Sequence, residues 1–146
     1  MKALLLTLTV AALGAAVAVT ALGSSATSSV GVRRTAHGRV LVDTRGRALY
    51  LFERDKPDSS KCTSTCLRVW PALTTKGKPH ARAGVSGAKI GTIRAANGRR
   101  QVTYSKHPLY YYAGDTKAGE TNGQGLNQFG AKWYVVSPSG RKIDDD

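Results

Sequence analysis

The 146-residue chain is poor in the side chains from which reactive sites are built. It has two cysteines, three histidines and one methionine, and that methionine is Met1. A copper site of the C-x3-C kind, formed by Cys62 and Cys66, would recruit a nearby histidine or methionine, and the nearest histidine in sequence is His80. Acidic residues number nine against 22 lysines and arginines. Paired acids for glycoside hydrolysis would have to come from Glu53, Asp55, Asp58, Asp115 and Glu120, and no spacing singles out two of them. Ser105 and His107 share one turn with Asp115 eight residues on, yet no nucleophile elbow or recognised triad order is present. Asp115, Glu120 and Asn122 collect oxygen atoms without the D-x-D-x-D-G spacing of a calcium loop. These gaps argue against an enzyme, and the expectation is no cofactor and no metal.

What is present begins with an apolar run. Met1-Lys2 is a short basic start, and Ala3 to Leu22 is rich in alanine, leucine and valine. Small residues follow, so residues 1–26 are expected to be a signal peptide. The run is also about long enough to span a bilayer, so an uncleaved anchor is the rival reading and the only route to a membrane. No cysteine follows the run, which leaves no lipid attachment site. Export places Cys62 and Cys66 in an oxidising compartment, where a disulfide between them is the expectation; the alternative is a copper-binding or electron-transfer accessory protein of the envelope.

Without residues 1–26, Lys2 is lost, leaving 120 residues with 21 basic against nine acidic side chains, a net charge of +12. A field of that sign draws anionic partners such as wall polymers, acidic glycans or lipid headgroups, and export argues against nucleic acid. Arg39, Arg45, Arg47, Arg99 and Arg100 are the first candidates for contacts with a polyanion. The rival reading of the same charges is a soluble surface.

The chain also repeats itself. Tyr50-Leu51-Phe52-Glu53-Arg54-Asp55 returns sixty positions later as Tyr110-Tyr111-Tyr112-Ala113-Gly114-Asp115. Gly38, Arg39, Val42 and Leu49 recur at the same offset as Gly98, Arg99, Val102 and Leu109. Trp133 follows Trp70 by 63 positions. Self-similarity at a fixed period marks a duplicated structural unit.

Read in order, residues 27–37 are a Ser/Thr/Ala/Gly-rich stretch expected to be a flexible lead-in. Repeat one takes residues 38–73. Arg39 to Asp43 is a strand, Thr44 to Arg47 a four-residue turn, and Ala48 to Phe52 a second strand. Alternation puts Tyr50 and Phe52 on one face and Leu49 and Leu51 on the other, so this strand is covered on both sides. Residues 74–87 are a basic Gly/Ala-rich connection. Repeat two takes residues 88–137, with an Asn97-Gly98 hairpin, a turn through Ser105 to Pro108, a Gly-rich loop and a closing strand Lys132 to Val136. Residues 138–146 are expected to be a disordered tail. The fold expected is all-β or β-dominated, a single domain of two hairpin-based repeats. Each repeat is too small to bury its own face, so the pair shares a core of Tyr50, Phe52, Trp70, Tyr110, Tyr112 and Trp133. Asp55 and Asp115, each just past a strand, are expected to accept backbone N–H groups of the loop that follows, with a ligand role as the rival.

At these residues the chain resembles a family of secreted bacterial repeats described by a Y-x-[FWY]-x-x-D motif, many of them predicted lipoproteins. The motif residues are Tyr50, Phe52 and Asp55, then Tyr110, Tyr112 and Asp115. Cys62-x3-Cys66-x3-Trp70-Pro71 and Gly119-x3-Gly123-Gln124-Gly125 leading to Trp133 extend the likeness over about Gly38 to Ser137. The chain departs from it in lacking a lipid-bearing cysteine, and in having Asn97 where the family often has aspartate. The resemblance implies an exported envelope or extracellular module and supplies no activity.

Overall fold

The computed structural model describes residues 26–145, so the expected signal peptide lies outside the described residues but for Ala26. Nine short strands and one helix follow in order. They are β1 (Ser29–Thr35), β2 (Gly38–Val42), β3 (Tyr50–Phe52), α1 (Ser64–Val69) and β4 (His80–Ala81), then β5 (Ile90–Arg94), β6 (Arg100–Tyr104), β7 (His107–Pro108), β8 (Asn127–Gln128) and β9 (Ala131–Val135). They make three three-stranded sheets, ordered β2-β1-β4, β3-β9-β8 and β5-β6-β7. The protein is β-dominated and built from two repeats, as the pattern of short apolar runs predicts.

The two repeats meet at Tyr50 and Tyr110, which exchange both backbone hydrogen bonds. Tyr50 N donates to Tyr110 O at 2.8 Å, and Tyr110 N donates to Tyr50 O at 3.0 Å. Reciprocal contacts of this kind are what a two-fold relation between like units requires. The relation extends outward through exchanged closing segments. β3 of repeat one pairs antiparallel with β9 of repeat two, with Tyr50 opposite Val135 and Phe52 opposite Trp133. In return residues 110–113 of repeat two lie along residues 69–72 of repeat one, with Tyr111 N donating to Pro71 O and Ala113 N to Val69 O. One residue further on, Leu73 N donates to Leu109 O and Val136 N to Leu49 O. Each repeat therefore completes the sheet of the other.

β3 is covered on both faces. Tyr50 and Phe52 belong to one buried cluster with Trp70, Tyr110, Trp133 and both cysteines. Leu49 and Leu51 belong to a second, with Leu73, Val102, Leu109 and Val136.

Four expectations need correction. Part of the lead-in is β1, which pairs with β2 over five residues and buries Val30 completely. The alternation of Val30 and Val32 was its signal, masked by a polar composition. The expected tail is docked through 145: Ile143 N donates to Val135 O, Lys142 pairs with Glu53 at 2.6 Å, and Asp145 meets His37. The connecting segment contributes β4, which runs parallel to β1. The repeats do not keep one offset. Repeat one turns through three residues, 44–46, closed by Asp43 N on Arg47 O, with Gly46 at φ +80°. Repeat two turns through Ser105 and Lys106 alone, at φ +48° and +67°, and His107–Pro108 is already strand. A three-residue loop ending in a left-handed glycine and a two-residue loop with two positive φ angles are alternative hairpin solutions. The equivalent of Val102 is therefore Leu41, since Leu41 N donates to Val136 O as Val102 N donates to Leu73 O.

Candidate functional site

The duplicated motif builds one composite centre at the junction of the repeats. Its first layer is a pile of four rings. Phe52 stacks on Trp133 at 4.1 Å and 8°, Trp133 on Trp70 at 3.9 Å and 6°, and Trp70 meets Tyr112 at 4.5 Å and 30°. The order alternates between repeats, so each motif's second aromatic lies on the other repeat's tryptophan. The two motif tyrosines stand edge-on, Tyr50 to Trp70 at 5.3 Å and Tyr110 to Trp133 at 5.1 Å. Edge-to-face and offset stacks satisfy the quadrupoles of the rings while burying their area.

The second layer is polar, and it is exchanged as well. The Tyr50 hydroxyl donates to Asp115 Oδ2 at 2.6 Å, and the Tyr110 hydroxyl donates to Asp55 Oδ2 at 2.8 Å. The remaining oxygen of each carboxylate accepts the backbone of its own following loop, Asp55 Oδ1 from Lys61 N at 2.6 Å and Asp115 Oδ1 from Asn122 N at 2.8 Å. Each hydroxyl has a second partner. Ser60 Oγ is 2.6 Å from Tyr110 Oη, and Gly123 N donates to Tyr50 Oη at 3.2 Å. Gly123 has to be glycine, because a Cβ there would sit 2.7 Å from the Trp70 ring and 3.0 Å from that of Tyr112.

Burial sets the protonation of this layer. Desolvation pushes both tyrosine hydroxyls far above their ordinary value, so they stay neutral donors. Desolvation also raises Asp115, against the hydrogen bonds from Tyr50 and Asn122 that pull it down. Asp55 is pushed up to about 6 by burial, with Lys61 N and the Tyr110 hydroxyl opposing. Asp115 is 2% exposed and sealed by the Gly-rich loop. Asp55 is partly open, at the edge of a cleft of about 600 Å³ shared with Glu53, His107 and Lys142.

The raised Asp55 value has a measurable consequence. Because the folded state holds the proton more tightly than the unfolded chain, this group stabilises most below about pH 4. That contribution is lost as pH rises through about 6. The stability difference between the parent and Asp55→Asn should therefore fall by roughly 1–2 kcal/mol between pH 4 and pH 7, after allowing for solvent screening at a partly open site. Denaturant titrations of both proteins at the two pH values measure it. A parent advantage that grows with pH would show that the carboxylate is held ionised instead.

Both cysteines form the Cys62–Cys66 disulfide, with Cα atoms 5.2 Å apart. The disulfide leaves no thiolate for copper. It closes the start of α1, and Trp70 N at the helix end donates to Cys66 O at 2.8 Å, which seats the indole in the pile. Gln128 carries no signal in the sequence, yet both indole N–H groups end on it. Trp70 Nε1 donates to its side-chain oxygen at 2.9 Å and Trp133 Nε1 to its backbone oxygen at 3.0 Å.

The remaining candidates are dispersed. Glu120 folds back on its own turn, accepting Thr116 N and Lys117 N, and those bonds hold its pKa below the ordinary value. Burial lowers His107, while Asp115 is turned to Tyr50 and Asn122. Arg47 is committed inside the protein, donating to Asp115 O at 3.3 Å and lying 4.5 Å over the Tyr111 ring. Arg39, Arg45, Arg99 and Arg100 are exposed; Arg99 and Arg100 line one hollow and Arg45 another.

A lipoprotein family described as a secreted repeat of unknown function matches the chain twice, over residues 31–74 and 91–137. The chain belongs to that family. The two matches in this secreted repeat coincide with the two halves that exchange strands, tyrosines and tryptophans. No curated protein and no solved structure matches it. Among the described residues of the secreted repeat, no helix is long and apolar enough to cross a membrane.

Proposed function

We propose that the protein is a non-catalytic exported module that holds an anionic polymer of the cell wall or extracellular matrix on a basic surface. The observation that supports this most is how its few carboxylates are used. Asp43 accepts Arg45 N, Arg47 N and the Tyr111 hydroxyl, while Asp55, Asp115 and Glu120 are engaged by tyrosines and loop N–H groups. Four of the nine acids are thus held by backbone N–H and hydroxyl donors, while Arg39, Arg45, Arg99 and Arg100 are exposed to the solvent. The composite centre is a structural clasp in this reading. Both oxygens of each motif carboxylate already accept, one from a tyrosine hydroxyl and the other from a loop N–H group.

Binding through displaced counterions weakens log-linearly with salt. Affinity for a soluble polyuronate or polyphosphate should fall at least about tenfold between 50 and 200 mM salt. Fluorescence anisotropy with labelled polymer measures it. Absence of binding at 50 mM salt, or affinity indifferent to salt, contradicts the proposal.

A further inference from the structure

The two basic faces differ in how they are built. On the face around β1, β2 and β4, the cleft that holds Arg33, Arg45 and Arg82 also holds Asp43, so a carboxylate sits among the cations. The other face is formed where the connection between repeats lies against the hairpin of repeat two. Thr75 N donates to Arg100 O at 3.0 Å, and Thr74 bridges Gln101, which adds residues 74–75 to the edge of β6. On its other side β6 pairs with β5, placing Arg94 directly opposite Arg100. Like charges directly opposed across an antiparallel pair destabilise a sheet. Two hollows of about 390 Å³ flank this row and share Lys76 and Arg100. The first adds Arg99 and Thr75, the second Arg94 and Thr92, and neither is lined by an aspartate or glutamate among the described residues.

We infer that these paired hollows are the seat of the anionic polymer, with successive oxyanion groups of one linear chain lodged on either side of the Lys76–Arg100 ridge. The inference rests on the polyanion reading above and adds the place and the form of the ligand. Guanidinium groups match carboxylate and phosphate oxygens in two-point geometry, and the exposed Thr92 adds a neutral hydroxyl beside them in the second hollow. An occupant also offsets the like charges of Arg94 and Arg100, which stand opposite each other in the β5–β6 register. Two seats sharing a ridge select a chain with spaced charges over a single small ion.

Two triple variants with the same change in net charge test the site. One is Arg94→Gln, Arg99→Gln, Arg100→Gln; the other is Arg33→Gln, Arg45→Gln, Arg82→Gln. Labelled polygalacturonate and polyphosphate are the probes, and their separate titrations tell a carboxylate chain from a phosphate chain. The first variant should lose roughly tenfold or more in affinity for the preferred polymer, with a salt slope shallower by about 2. It should melt no lower than the parent. The second should stay within about threefold of the parent. Equal losses in the two variants would overturn the inference and leave the general polyanion reading standing, since net charge alone would then explain binding. Loss confined to the second variant would move the seat to the other face. No binding by the parent would overturn both.

Discussion

Cutting the chain between Gly84 and Val85 should leave two fragments, 26–84 and 85–145, neither of which folds alone. Each fragment would keep its own hairpin while losing the strand that completes it. The first loses β9, which pairs with β3 from Tyr50 to Phe52, and the second loses residues 69–73, which pair with 109–113. Each fragment also exposes half of the ring pile and leaves one carboxylate without its tyrosine. Each fragment retains one small sheet, β2-β1-β4 or β5-β6-β7, but without the partner repeat its apolar face is uncovered, and so small a sheet with no covered face is marginal in water. Circular dichroism and amide exchange should show little protected structure in either fragment, and mixing should restore the intact spectrum with a concentration-dependent midpoint. A stably folded single fragment would mean that the repeats are autonomous.

Trp133→Ala should be the most damaging single substitution. The side chain is fully buried, stacked on Phe52 and Trp70, met edge-on by Tyr110, and hydrogen-bonded to Gln128 O. Removing a buried tryptophan costs about 3–5 kcal/mol, a large fraction of the roughly 5–15 kcal/mol that holds a domain together. The melting temperature should fall by more than about 10 °C. Trp133→Phe keeps a ring in the pile and should cost less than half as much. An alanine variant that melts within a few degrees of the parent would show that the pile is not the common core.

The members of this centre are legible in the sequence, while their pairing is not. The fixed-period recurrence of aromatics identifies Tyr50, Phe52, Trp70, Tyr110, Tyr112 and Trp133 as shared core, because large aromatics at repeated positions have nowhere else to be buried. Which strand lies beside which is a matter of backbone hydrogen bonds, and backbone groups are alike at every residue. The exchange of closing segments therefore leaves no mark in composition or periodicity. The slip between Leu41 and Val102 is hidden for a related reason. Ser105 and Lys106 adopt positive φ without the Asn-Gly or Asp-Gly pair that announces such a turn. β1 and the docked C-terminal segment are polar in composition and hold their places through few apolar contacts, Val30 in one and Ile143 in the other. The hollows between the connection and β5–β6 are assembled from four separated stretches of chain, so Arg94 and Lys76 gain their meaning only in three dimensions.

The exchanged tyrosine–aspartate pairs join the two repeats, and double-mutant cycles measure them. Tyr50→Phe combined with Asp115→Asn, and Tyr110→Phe combined with Asp55→Asn, should each show a coupling of about 1–2 kcal/mol in denaturant titrations. The within-repeat combinations, Tyr50→Phe with Asp55→Asn and Tyr110→Phe with Asp115→Asn, should be additive to within about 0.5 kcal/mol. Coupling within the repeats and additivity between them would contradict the exchange on which the fold and the site are built.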